Sequence, residues 1–89
     1  MRAIVTVLGK DRIGIISAVS NLLAENQVNI LDISQTILQD YFTMIMLVDT
    51  SQSAASTEQL QAALKELGLR LGLEMRLQHE DIFNSMHRV

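Results

Sequence analysis

Cysteine, proline and tryptophan are all absent from this chain of 89 residues. Without cysteine there is no disulfide, no thiol nucleophile and no CxxC metal site. Without proline no element is interrupted by a ring that lacks an N–H. The aromatics are Tyr41, Phe42 and Phe83, too few for the stacking platform of an RNA-binding sheet. Basic residues are scarce as well: seven stand against ten acidic ones, for a net charge of -3. That balance disfavours a nucleic-acid surface. No apolar run is long enough to span a bilayer, and Met1-Arg2 leads straight into strand-like sequence with no signal peptide. The expected setting is cytoplasmic.

Hydrophobic residues make up 48% of the chain, so a folded core is expected rather than disorder. The length suits one small domain. The chain is organised around Gly9-Lys10-Asp11-Arg12-Ile13-Gly14-Ile15-Ile16. Ahead of it, residues 2–8 read as a strand apolar on both faces, which suits the centre of a sheet. Behind it, Ile15, Ile16, Val19, Leu22 and Leu23 fall on one face of a helix over 14–26, with Asp11 as a candidate cap. The stretch is thus a tight turn from strand to helix.

Residues 28–38 read as a second strand, polar and irregular, hence an edge. Its apolar alternation breaks at Ile30-Leu31, where a β-bulge would restore the facing. Gln39-Asp40 makes a hairpin connection in which a type I′ turn would be strained without glycine. Residues 41–49 form a third strand, again nearly all apolar and so central. Ser56-Thr57-Glu58-Gln59 matches a capping box, and the helix it opens is expected to run to Leu67 and stop at Gly68. Residues 73–79 read as a fourth strand with one wet face, an edge. Ile82, Phe83 and Met86 suggest a short amphipathic helix in the tail.

The order β-α-β-β-α-β describes two split βαβ units: a ferredoxin-like α+β sandwich with a four-stranded antiparallel sheet and both helices on one face. Strands one and three read as central, two and four as edges. The ferredoxin-like order 4-1-3-2 has that same arrangement. The expected division is a domain over 1–79 and a helical tail over 80–89. On the second face of the sheet, Ile4, Leu8, Ile45 and Leu47 are too apolar to stay open in a small monomer. The tail helix or a second subunit must cover some of them, and a polar edge strand, a template for another chain, agrees with a homodimer.

Catalysis finds little support. Gly9 and Gly14 give G-x-x-x-x-G, but Ile15 and Ile16 stand where a phosphate-binding loop needs Lys and Ser or Thr. His79, Asp81 and His87 lack zinc-ligand spacing. Met44, Met46 and Met75 sit at strand spacing and read as core filling. The carboxylates are scattered, and no nucleophile meets a base. Neither a metal nor a cofactor is expected, and the chain reads as non-catalytic. The turn offers a binding chemistry instead. A helix beginning there aims unpaired backbone N–H groups outward, and its positive end suits a carboxylate or phosphate. Lys10 and Arg12 would form a cationic lip over it, and Gly14 would let a ligand approach the backbone closely. The plainer reading is a solvated loop capped by Asp11.

Taken together, Asp11-Arg12-Ile13-Gly14, the stripe Ile15, Ile16, Val19 and Leu22, and Val28-Asn29-Ile30 resemble the opening of an ACT domain. Ile33 and Gln35 fit the strand that follows. The likeness covers residues 3 to about 78, by the order and spacing of its motifs, and is greatest to small bacterial proteins made of a single ACT domain. It implies a regulatory module that binds an amino acid. Family members often pair through the second strand and first helix, with the ligand at that joint. Carried over by position, Asp11, Arg12, Ile13, Gly14 and Ile15 would form the ligand loop, and Asn29 and Ile30 the partner-facing strand. The pattern departs at Ile13, where the family usually has proline. A ligand-free module that docks a protein partner through its sheet or tail is the alternative.

Overall fold

The computed structural model describes residues 2–10, 14–81 and 84. Four strands and two helices follow in the order β1 (Arg2–Gly9), α1 (Ile15–Glu25), β2 (Asn29–Leu38), β3 (Tyr41–Asp49), α2 (Thr57–Leu71) and β4 (Glu74–His79). The sheet runs β2-β3-β1-β4, and all three pairings are antiparallel. The two apolar strands therefore occupy the centre, and the two polar ones the edges.

Alternation sorts the sheet into two faces. On one, Ala3, Val5 and Val7 of β1 oppose Val48, Met46 and Met44 of β3. The core is built on these residues, with Ile15, Val19 and Leu23 from α1 and Leu60, Leu64 and Leu67 from α2. Both helices thus cover the same face. Burying one such side chain contributes about 1.5–3 kcal/mol, so this single layer supplies most of the fold's stability. The other face carries Ile4, Leu8, Ile45 and Leu47, and no helix of the core lies on it. Among them Leu8 and Ile45 stay exposed.

The interruption at Ile30-Leu31 is a bulge: Ile30 pairs with Val48 and Asp32 with Leu47, leaving Leu31 over. Past it, Ile33 and Ile37 lie on the helix side, opposite Met46 and Phe42. They remain 39% and 52% exposed there, because the helices do not reach over this margin.

Several boundaries differ from the sequence reading. The helix expected over 14–26 starts at Ile15, with Gly14 as its N-cap; Asp11 lies outside the described residues. Ile16 was placed on the buried face but is exposed, since Ile15, Val19 and Leu23 alone face the core squarely. β2 starts one residue late, at Asn29, although Val28 is buried. The capping box is present in full: Ser56 Oγ accepts from the Gln59 N–H at 3.1 Å, and Gln59 Oε1 accepts from the Ser56 N–H at 2.7 Å.

α2 does not stop at Gly68 but runs to Leu71, capped by Gly72 in the left-handed conformation. Gly68 is a packing glycine: a Cβ there would lie 2.7 Å from the Leu73 carbonyl oxygen. Residue 73 accordingly precedes β4 rather than opening it. In the hairpin only Gln39 has positive φ, at 53°, so the turn is not type I′, which needs both central residues there. Ile82, Phe83 and Met86, on which the tail helix was argued, lie outside the described residues.

Candidate functional site

The register of the sheet divides it into two ends. At one end Gly9 of β1 opposes Phe42 of β3, and Leu38 of β2 opposes Tyr41. At the other Arg2 and Asn29 both oppose Asp49. The turn from β1 to α1 therefore leaves the sheet at the Tyr41 end.

Gly14 stands exposed at that turn with φ 75° and ψ -3°, and among the described residues no side chain caps the helix it opens. Its carbonyl accepts the Ala18 N–H at 3.0 Å, closing the first helical turn. The first turn of α1 holds no acidic residue, so no described carboxylate of that turn neutralises the positive end of the helix. Nothing described lies within 4 Å of where a Gly14 Cβ would be. The glycine is required by backbone conformation rather than by crowding, since the left-handed region penalises any residue with a Cβ. Ile15 is 3% exposed, so its side chain belongs to the core, and the exposed residues at the helix start are Gly14, Ile16 and Ser17.

Asp11, Arg12 and Ile13 lie outside the described residues. Lys10 precedes them, and its Nζ lies 5.6 Å from the centroid of the Tyr41 ring. The contact ties the loop to the hairpin end of the sheet. Sequence reasoning missed it, because no local pattern links residues 10 and 41.

Asn29 and Ile30 stand elsewhere. Asn29 is exposed and opens β2 opposite Asp49; Ile30 is half-buried opposite Val48. From Phe42 to Asp49 the sheet extends about 23 Å at roughly 3.3 Å per residue. Within one chain, then, Gly14 and Ile15 come together at one end, while Asn29 and Ile30 occupy the other. Asp49, beside Asn29, is held below the ordinary carboxylate range, first by the Ser51 backbone N–H it accepts and then by the Ser51 side chain. That N–H lies 2.9 Å from Asp49 Oδ1.

Among the described residues no group of three His, Asp or Glu is placed to hold a metal ion. No described helix is long and apolar enough to cross a membrane. The candidate site is thus the exposed start of a helix at the hairpin end of the sheet.

The ACT domain pattern matches residues 2–78. The chain belongs to the ACT domain family. A UPF0237 protein of Clostridium acetobutylicum is 57% identical to this ACT domain over 89 residues, 100% of both chains. The structure of an ACT domain protein from Streptococcus pneumoniae is similar at a TM-score of 0.83, with 41% identity over 93% of each chain. The ligand-free regulatory subunit of aspartate kinase from Thermus thermophilus shares the fold at a TM-score of 0.67 and 23% identity, over 86% of this chain and 50% of that one. As an ACT domain, the chain is a module of the regulatory kind.

Proposed function

We propose that this ACT domain is a non-catalytic, cytoplasmic regulatory module. In this reading it pairs with a second copy along β2 and holds an amino acid, or a similar small carboxylate, at the joint. The observation that carries it is the start of α1. A left-handed glycine opens the helix with no side-chain cap and no acid in the first turn. In this reading the amides of the first turn, with Ile16 and Ser17 exposed, meet a carboxylate, and the helix dipole favours the negative charge.

The register supports a joint between two copies. Two β2 strands paired antiparallel about a two-fold axis would run in opposite directions. The start of one would then lie against the end of the other, at the Tyr41 end of the sheet. Such pairing brings Asn29 of the partner subunit toward the turn from which this chain's own Asn29 is remote. The exposed Ile33 and Ile37 on the same margin would be covered in the process. The aspartate kinase neighbour is itself a regulatory subunit, which agrees with the role.

One observation favours the second reading, a ligand-free module that docks a protein. Leu8, Leu38, Tyr41 and Ile45 are all exposed, and by alternation they share the sheet face that the helices leave bare. Apolar surface of that kind marks interaction sites.

A thermal-shift screen across the amino acids separates the two. Ligand at a hundred times its Kd adds about 2.7 kcal/mol to stability, a clear rise in Tm for a domain of this size. A rise with one amino acid or a small set supports the site at α1. A flat response to all of them overturns it in favour of the docking module.

A further inference from the structure

β4 is as much an edge of this sheet as β2, yet the two edges are finished differently. The Leu77 N–H does not point toward β1. It donates instead to Gln61 Oε1 of α2, at 2.8 Å. Antiparallel alternation then turns the N–H and C=O of Met75 and His79 outward too. Leu77 is the middle one of these three outward residues. Two copies of β4 paired about a two-fold axis through it would set Leu77 against the partner's Leu77, and Met75 against the partner's His79. The Gln61 amide occupies the place where that central pair would form.

The helix adds a wall. Gln61, Lys65 and Leu69, four residues apart along α2, stand on the helix side of a groove of about 800 Å3 that wraps the β4 edge and reaches Thr6, Leu8 and Ile45 on the bare face. An incoming strand would have to displace the amide and pass beside this row. Covering an edge with a helix is one of the ways in which sheets avoid unwanted pairing.

Among the described residues no such row runs along β2. Because Val5 opposes Leu77, it bonds with Met46 across β3, which turns Ile45 and Leu47 toward β2. Their partners Ser34 and Asp32 bond inward, so Ile33, Gln35 and Ile37 present their backbone outward. Of these, only the Ile33 N–H is met by a described side chain, the adjacent Asp32 carboxylate at 2.9 Å. The outward groups of Gln35 and Ile37 are met by no described side chain.

We propose that Gln61 is the residue that decides which edge of this domain accepts a strand: by closing the centre of β4 it confines pairing with a second copy of this chain to β2. The proposal rests on the reading that β2 joins two copies, and the test keeps the two apart. Sedimentation velocity across a concentration series is run on the parent, Gln61→Ala, Gln61→Glu, Gln35→Pro and the double variant Gln35→Pro/Gln61→Ala. Proline at 35 removes an outward N–H and no ladder bond, a place where an edge strand tolerates it.

The parent is expected as a dimer and Gln35→Pro as a monomer. Gln61→Ala should link dimers through their β4 edges into species larger than the parent's, growing with concentration. The double variant should return to a dimer, now through β4. Gln61→Glu keeps an acceptor for the Leu77 N–H and should sediment as the parent does. Amide exchange at Leu77 reports on the edge directly. In Gln61→Ala it should be fast when dilute and slow again when concentrated. If Gln61→Ala unfolds, Gln61→Met repeats the test with the length kept and the acceptor gone. Gln61→Ala or Gln61→Met sedimenting as its own background in both settings overturns the proposal. Gln35→Pro sedimenting as the parent overturns the β2 reading alone, since the effect of Gln61 is still read against it.

Discussion

The ammonium of Lys10 lies over the ring of Tyr41, 5.6 Å from its centroid, so one of the two cations flanking Asp11 is already engaged. A lysine held on an aromatic face is a tether between the loop after β1 and the first residue of β3. It is therefore less available as half of the cationic lip expected from the sequence.

Replacing that ring tests the tether. Tyr41→Leu should cost about 0.5–1 kcal/mol, the range for an exposed cation–π pair, while Tyr41→Phe should be nearly neutral because the ring face remains. Urea unfolding of both variants, each also in a Lys10→Met background, checks this. If the Tyr41→Leu loss is the same with and without Lys10, the two residues do not interact.

Gly14 invites a graded substitution. Alanine there should cost about 1–2 kcal/mol, the left-handed penalty of a Cβ, and valine more. Asparagine, which tolerates that region, should cost least. The surrounding space is open, so size alone should not order the series. Equal stabilities for Gly14→Ala and Gly14→Asn would mean that the backbone relaxes out of its positive φ. Because valine at 14 is strained before any ligand arrives, Gly14→Asn is the better variant for binding measurements at this turn.

Gly68 should defy its usual sign. Gly→Ala inside a helix normally stabilises by about 0.5–1 kcal/mol. Here the new methyl would meet the Leu73 carbonyl oxygen at 2.7 Å. A backbone atom in that place cannot step aside cheaply, so Gly68→Ala should destabilise by about 1–3 kcal/mol, as overpacking does. A gain in Tm would show that the joint between α2 and β4 is looser than described.

The legible parts of the fold were those with a period. The alternation in β1 and β3 placed them at the centre, the broken alternation at Ile30-Leu31 located the bulge, and the box Ser56–Gln59 located the start of α2. Gly68 misled because a glycine late in a helical pattern reads as a stop signal. Whether it ends the helix or makes room for a neighbour depends on Leu73 and Met75, which touch it only after β4 folds back. Ile16 misled because a stripe of five apolar residues is wider than the face this short helix buries. Gly14 was singled out as the glycine that would let a ligand approach the backbone, and its positive φ is a second reason for glycine there, one that spacing does not show. The distance between Gly14 and Asn29 was hidden altogether, since it depends on how the strands are registered.

The bulge also makes β2 uneven in how it bears changes of length. Leu31 is opposed by nothing in β3, so deleting it would leave every other pairing of the strand where it stands, on a straighter ladder. Deleting Ile37 is another matter. The residues between the bulge and the gap would each move along by one place, turning Ile33 to the bare face and Asp32 and Ser34 toward the helices. In this strand Leu31 is a spare position, and the frame in which the rest is read is kept by the number of residues that follow it.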